Sequence, residues 1–176
     1  MAGDLKAKYG TQGTLTFTTF NSLAASSTFV GGAGSLAVSN TTDLALDYLV
    51  SWKFTWSSTA PAAGTLRLDT HLYSELNDTP DYPLDGSGNA LGTDLARTFA
   101  TVDDKFGSTI FFRSHGLTAT ASKIYTAPRI GIAQYFNNTM PKFWGLWATH
   151  GSTTASSTPA ASGNTFWYLP VLQQYT

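Results

Sequence analysis

Five polar residues stand at alternate positions in one short run: Arg67, Asp69, His71, Tyr73 and Glu75. In an extended strand alternate residues share a face, with neighbours about 6–7 Å apart. An imidazole beside a carboxylate on one face offers a metal site or an acid–base pair. The same residues also read as a cross-strand polar lattice or a face between subunits. Asp47 and Lys53 on the preceding strand would then pair with Arg67 and Glu75, each pair contributing about 0.2–1 kcal/mol. The lattice, or an intersubunit face, is the expected role.

Other chemistries find less support. Glycoside hydrolysis needs two carboxyl groups flanking one bond, and Glu75 is the single glutamate, with no aspartate marked out as its partner. Asp78, Asp81 and Asp85, with Gly86 and Asn89, offer oxygen ligands of the kind calcium takes six to eight at a time. Pro80 and Pro83 interrupt that spacing, so a solvated, turn-rich loop is expected instead. His115 and His150 fall near strand ends without acidic or cysteine neighbours. No Gly-x-Ser-x-Gly elbow occurs. Gly86-Ser87-Gly88 lacks the helix that a phosphate cradle needs, and Gly31-Gly32-Ala33-Gly34 reads as a hairpin turn. No catalytic, cofactor-binding or metal-ligating residue is assigned, no cofactor is expected, and the chain is expected not to be an enzyme.

The tryptophans pose a separate question, since sugar-binding modules stack sugars on exposed rings. Trp52 and Trp56 share the apolar face of their strand, and Trp144 shares a face with Leu146. All three read as core. Trp147 falls on the opposite face with Phe143, where an exposed pair would serve as a sugar platform, a second packing layer or a subunit contact.

The elements that carry these residues follow from periodicity. From Leu44 to Trp56 every even position is apolar: Leu44, Leu46, Tyr48, Val50, Trp52, Phe54 and Trp56. After the small-residue loop 57–64 the alternation resumes with Leu66, Leu68, Leu72 and Leu76. A period of two predicts strands with one buried face. Further strands are predicted over 14–20, 27–30, 35–39, 97–102, 108–113, 129–136, 142–149 and 165–172, with a weaker one over 117–125. The segments 129–136 and 142–149 read as a hairpin. Pro170 cannot donate to a ladder, so it is expected at an edge or a bulge. Residues 77–96 form a long loop dense in turn formers, of the length that is usually functional or interfacial. Residues 151–164 form a low-complexity loop. At best one short helix fits, over Leu91–Phe99.

The chain has 176 residues, enough for one well-packed domain. An N-terminal arm is expected over 1–13, docking onto a neighbour, and a single β-sandwich domain over 14–176. The expected fold class is all-β, an antiparallel two-sheet sandwich of jelly-roll type with an extended N-terminal arm. The net charge is −1, 12% of residues are charged and 14% are aromatic. No basic face for nucleic acid is present. Soluble monomers usually carry roughly twice this charged fraction, so part of the surface is expected to be covered by another subunit. There are no cysteines, no apolar run of the roughly 20 residues that span a bilayer, and no apolar segment near Met1 that reads as a signal peptide. Synthesis in a cytoplasm is therefore expected. Asn-x-Thr triplets at Asn40, Asn77 and Asn137 are expected by chance in so Asn/Thr-rich a chain.

Three short runs carry a resemblance: Ser22–Val30, Leu46-Asp47-Tyr48-Leu49-Val50-Ser51 and Asp78-Thr79-Pro80-Asp81-Tyr82-Pro83. They resemble small structural proteins of tailed bacteriophages, over roughly residues 20–85. The resemblance implies a virion component, a jelly-roll head decoration (cement) protein. Such a protein would stabilise the outer capsid surface, commonly as a homotrimer braced against the major capsid protein. It implies no catalytic residues. The alternative is a carbohydrate- or receptor-binding β-sandwich module of a phage tail or head fibre.

Overall fold

The computed structural model describes residues 5–61, 67–151 and 157–175. Eleven strands and one α-helix follow in chain order: β1 (Leu5–Tyr9), β2 (Gly13–Thr14), β3 (Gly31–Gly34), β4 (Val38–Ser39), β5 (Asp47–Thr55), β6 (Arg67–Ser74), β7 (Leu95–Thr98), α1 (Val102–Ser108), β8 (Ile110–Gly116), β9 (Ile124–Gly131), β10 (Phe143–His150) and β11 (Thr165–Tyr175). One sheet runs β1-β11-β5-β9, with β2 also on β11. The other runs β7-β3-β10-β6-β8, with β4 on β10.

All pairings are antiparallel, and the chain folds back on itself in nested pairs. β1 and β2 lie on β11, β3 and β4 on β10, β5 on β9, and β6 on β8. The β11–β5 and β10–β6 pairings then close the two sheets. This is a jelly roll. Between the sheets lie the apolar side chains that alternation placed there, among them Tyr48, Val50, Trp52, Phe54, Leu68, Leu72, Trp144 and Phe166. Fully burying a large apolar side chain contributes about 1.5–3 kcal/mol.

Several expectations are corrected. β5 and β6 do not pair but sit in opposite sheets, so Asp47 and Lys53 form no lattice with Arg67 and Glu75. β9 and β10 likewise belong to different sheets, and Ala133–Phe136 is a 3-10 helix. The segment Gly31–Gly34 is a strand, not a turn, because a Cβ on Gly32 would collide with the Ala148 carbonyl and the Trp147 ring. Glycine lets β3 approach β10 that closely. Of the predicted strand 14–20, only the start is extended, and Thr18–Phe20 is a 3-10 turn. The stretch 117–123 joins β8 to β9 without strand structure. Leu44 and Leu46 are exposed, and Leu44 takes a left-handed φ of 47°. The Asn40 side chain holds that turn, accepting from Ala45 N at 2.7 Å. Leu76 is also exposed. Leu66 lies outside the described residues, as do 1–4, 62–65, 152–156 and Thr176.

Two further segments are instructive. Of the expected arm, Leu5–Tyr9 is an edge strand on the chain's own β11, its five side chains exposed. Pro170 sits in the middle of β11, paired with Tyr48 of β5. Its carbonyl accepts from Gly10 N at 2.8 Å. Carbonyl and amide of a strand residue face the same neighbour, so its missing donor faces the gap where β1 ends and β2 has not begun.

The helix stands later than expected. Leu95–Thr98 is strand β7, and α1 begins after Thr101, whose Oγ1 accepts from Asp104 N at 3.0 Å as an N-cap. Asp103 and Asp104 fill the first turn, where acidic side chains favour the helix dipole. The 77–109 segment folds over the outer face of β6, making a third layer. Tyr73, Leu91, Phe99 and Trp147 form a second small core beneath it. No helix among the described residues is long and apolar enough to cross a membrane.

Candidate functional site

β6 is buried on both faces. Leu68 and Leu72 face the main core, while Asp69, His71 and Tyr73 lie under the third layer, at most 4% exposed. The alternation placed Arg67, Asp69, His71 and Tyr73 on one face correctly. That face is covered by the chain's own 77–109 segment, so it is neither an open polar lattice nor a face between subunits. A bulge in the β6–β8 register falls between Thr70 and His71. Such bulges re-aim the side chains beside them.

α1 and the start of β8 complete a cavity of about 240 Å³ over this face. Its walls include Arg67, Asp69, His71, Lys105, Phe106 and Phe111. Arg67 Nε donates to Asp69 Oδ2 at 3.0 Å, and its guanidinium lies 4.3 Å from the centre of the Phe29 ring. Lys105 Nζ donates to the Phe29 carbonyl at 3.1 Å and lies 4.7 Å from the Phe106 ring centre. Asp69 Oδ1 and His71 Nε2 are buried and have no hydrogen-bond partner among the described residues.

The protonation of His71 follows from its neighbour. Thr109 Oγ1 donates to the Lys105 carbonyl at 2.8 Å, which uses its one proton. Its 3.0 Å contact with His71 Nδ1 must therefore run the other way, with Nδ1–H donating. Nε2 is left as a bare acceptor. Burial, with the nearby Lys105 charge, pushes the His71 pKa down to about 3, so the ring is neutral near pH 7. Burial also lowers the Lys105 pKa, while the Asp69 charge opposes that shift. A general base works best with a pKa near the operating pH, and His71 lies far from it. The arrangement suits hydrogen bonding to a ligand better than proton transfer.

The remaining candidates hold backbone or pack. Glu75 accepts from Lys142 N at 2.8 Å and Phe143 N at 2.9 Å. Asp85 accepts from Ser87 N and Asn89 N, both at 2.8 Å, forming the turn that the aspartates of this loop suggested as a cation site. Asp78 pairs with Lys142 at 2.7 Å. No group of three or more His, Cys, Asp or Glu side chains that could hold a metal ion occurs among the described residues. His115 packs edge-on against Tyr125 and Phe54. His150 Nε2 lies 2.7 Å from the Leu23 carbonyl.

Trp52, Trp56, Trp144 and Trp147 are all buried. Of the alternatives for Trp147, a sugar platform, a second packing layer or a subunit contact, the buried ring fits the packing layer: it is enclosed between His71 and Phe99, with ring centres 5.4 and 5.2 Å away. The sequence reading missed Lys105 and Phe106 because it missed α1. The signal was present: Thr101-Val102-Asp103-Asp104 carries a capping residue and an acidic first turn. Comparison of the chain with known protein families, with curated proteins and with solved structures finds no match in any of the three.

Proposed function

We propose that this chain is a non-enzymatic virion structural protein, a jelly-roll decoration protein that self-associates and braces the outer surface of a capsid. The observation that carries this reading is the condition of the sheet edges. Exposed strand edges invite pairing with other chains, and proteins blunt them with short strands, lysine or proline. β1 carries Lys6 and Lys8, β9 carries Pro128, and β7 is only four residues long. β8 carries Arg113 and a bulge at Phe112, but it opens with the apolar pair Ile110-Phe111 and has neither lysine nor proline.

Exposed apolar side chains gather beside the opening of that edge strand. Phe106 and Ile110 share one groove with Leu76, and Phe106 and Phe111 share another with Val102. Leu76 is 65% exposed, Phe106 54% and Phe111 44%. A contiguous apolar surface next to an open strand edge is the anatomy of an interface. The low charged fraction of 12% and the resemblance of the 22–30, 46–51 and 78–83 runs to tailed-phage structural proteins agree with it. The belt serves self-association, with a homotrimer the expected assembly. The remaining edges and the N-terminal strand are left for the major capsid protein.

Sedimentation of the whole chain and of Ile110→Asp tests this. The chain is expected to run as a trimer and to co-sediment with capsid shells, and the variant as a folded monomer. A wild-type chain that stays monomeric and ignores shells overturns the reading.

A further inference from the structure

We propose that the cavity beneath α1 binds a neutral polyhydroxylated ligand of monosaccharide size, at a site whose polar floor is distinct from, but whose rim residues Phe106 and Phe111 are shared with, the apolar surface argued above. Its volume of about 240 Å³ equals roughly eight waters at liquid density. That is ample for a single sugar ring and small for a drug-sized molecule.

The polar groups select the ligand. Asp69 Oδ1 and His71 Nε2 are buried acceptors with no partner among the described residues, and an orphaned buried acceptor is costly unless something donates to it. Lys105 keeps donors beyond the one given to Phe29, and Arg67 keeps those not used on Asp69. A metal cation or amine would meet the Lys105 and Arg67 charges. An anion would meet a carboxylate oxygen and an imidazole lone pair. Hydroxyl groups donate and accept together, so a vicinal diol answers both halves of the site. The half-exposed rings of Phe106 and Phe111 supply apolar walls for the C–H face of a sugar. The low His71 pKa keeps Nε2 an acceptor at neutral pH.

Amide-resolved NMR titration of the whole chain with glucose, galactose, mannose, xylose and N-acetylglucosamine tests this. At least one sugar is expected to saturate in the millimolar range, shifting resonances at 69–71 and 105–111. Asp69→Asn should weaken that binding by roughly tenfold or more, the loss expected for one charge-assisted hydrogen bond. Phe111→Ala, at an exposed position that does not threaten the fold, should weaken it as well. Repeating the titration on Ile110→Asp separates the site from self-association, since binding should persist in the monomer. The proposal is overturned if no sugar shifts these resonances or if both site variants bind unchanged. Saturation of the same resonances by calcium or sulfate instead, or a crystal soaked in the sugars that holds ordered water only, also overturns it.

Discussion

Gly32 of β3 lies against the indole of Trp147 on β10 with no space for a methyl group between them. Trp147 in turn packs edge-on to His71 and Phe99. The smallest residue of one strand thus sets the position of the ring behind the candidate cavity.

Gly32→Ala should therefore destabilise the fold by about 1–3 kcal/mol, the usual cost of overpacking. Urea unfolding should show a lower midpoint with an unchanged slope. Gly107→Ala, where a Cβ meets nothing within 4 Å, is the control and, lying in α1, should leave the midpoint in place or raise it, by up to about 1 kcal/mol of stability. Equal midpoints for the two variants would remove the close approach from the account of β3.

Stability should fall on acidification well before the carboxylates titrate. His71 is held down to about 3 by burial and the Lys105 charge, against 6.5 in the unfolded chain. The unfolded state therefore binds more protons between those values, and stability is lost as pH drops through that window. His71 alone should remove about 2 kcal/mol between pH 7 and pH 5. Burial lowers His115 and His150 in the same direction. For Asp94, burial opposes the shift, but hydrogen bonds from Thr18 and Thr19 outweigh it and hold the pKa low, extending the loss below about pH 4. Thermal unfolding of wild type and His71→Gln across pH 4–7 should show a shallower dependence in the variant. An identical slope would mean that His71 is not held neutral.

Deletion of residues 2–12 should leave the sandwich folded and weaken its attachment to shells. β1 contributes five exposed side chains and a ladder to β11, and nothing to the main core. Loss of that ladder should appear as faster amide exchange along 171–175 with little change in circular dichroism. Unaltered shell occupancy would remove this strand from the attachment surface.

The fold class was legible because inner-face alternation over Tyr48–Phe54 survives intact in β5. Strand pairing was not legible from the same pattern. Two consecutive amphipathic strands satisfy their apolar faces equally well as a hairpin or across a sandwich, and β5 and β6 take the second course. His71 and Asp69 were correctly set on one face, but alternation describes a strand with one buried side. β6 has two, because the segment that follows it folds back to cover it. Nothing local in 67–75 announces that cover. The part that was legible and passed over is Thr101-Val102-Asp103-Asp104, a helix start short enough to hide between strands. Gly31–Gly34 misled for the opposite reason: a glycine run can signal a turn or a close approach, and only the partner Trp147 decides which.

The nesting of first strand with last also governs when this chain can fold. Leu5 pairs with Tyr175 and Tyr9 with Val171, so the outermost ladder joins residues far apart in the sequence. Such distant pairings are slow to form, because a long loop must close before any contact rewards it. Every residue from β1 through β11 must be synthesised before β11 can enter the sheet between β1 and β5. Until then the apolar inner face of β5 lacks its neighbour, and the nascent chain depends on holding partners or on rapid completion to stay clear of its siblings.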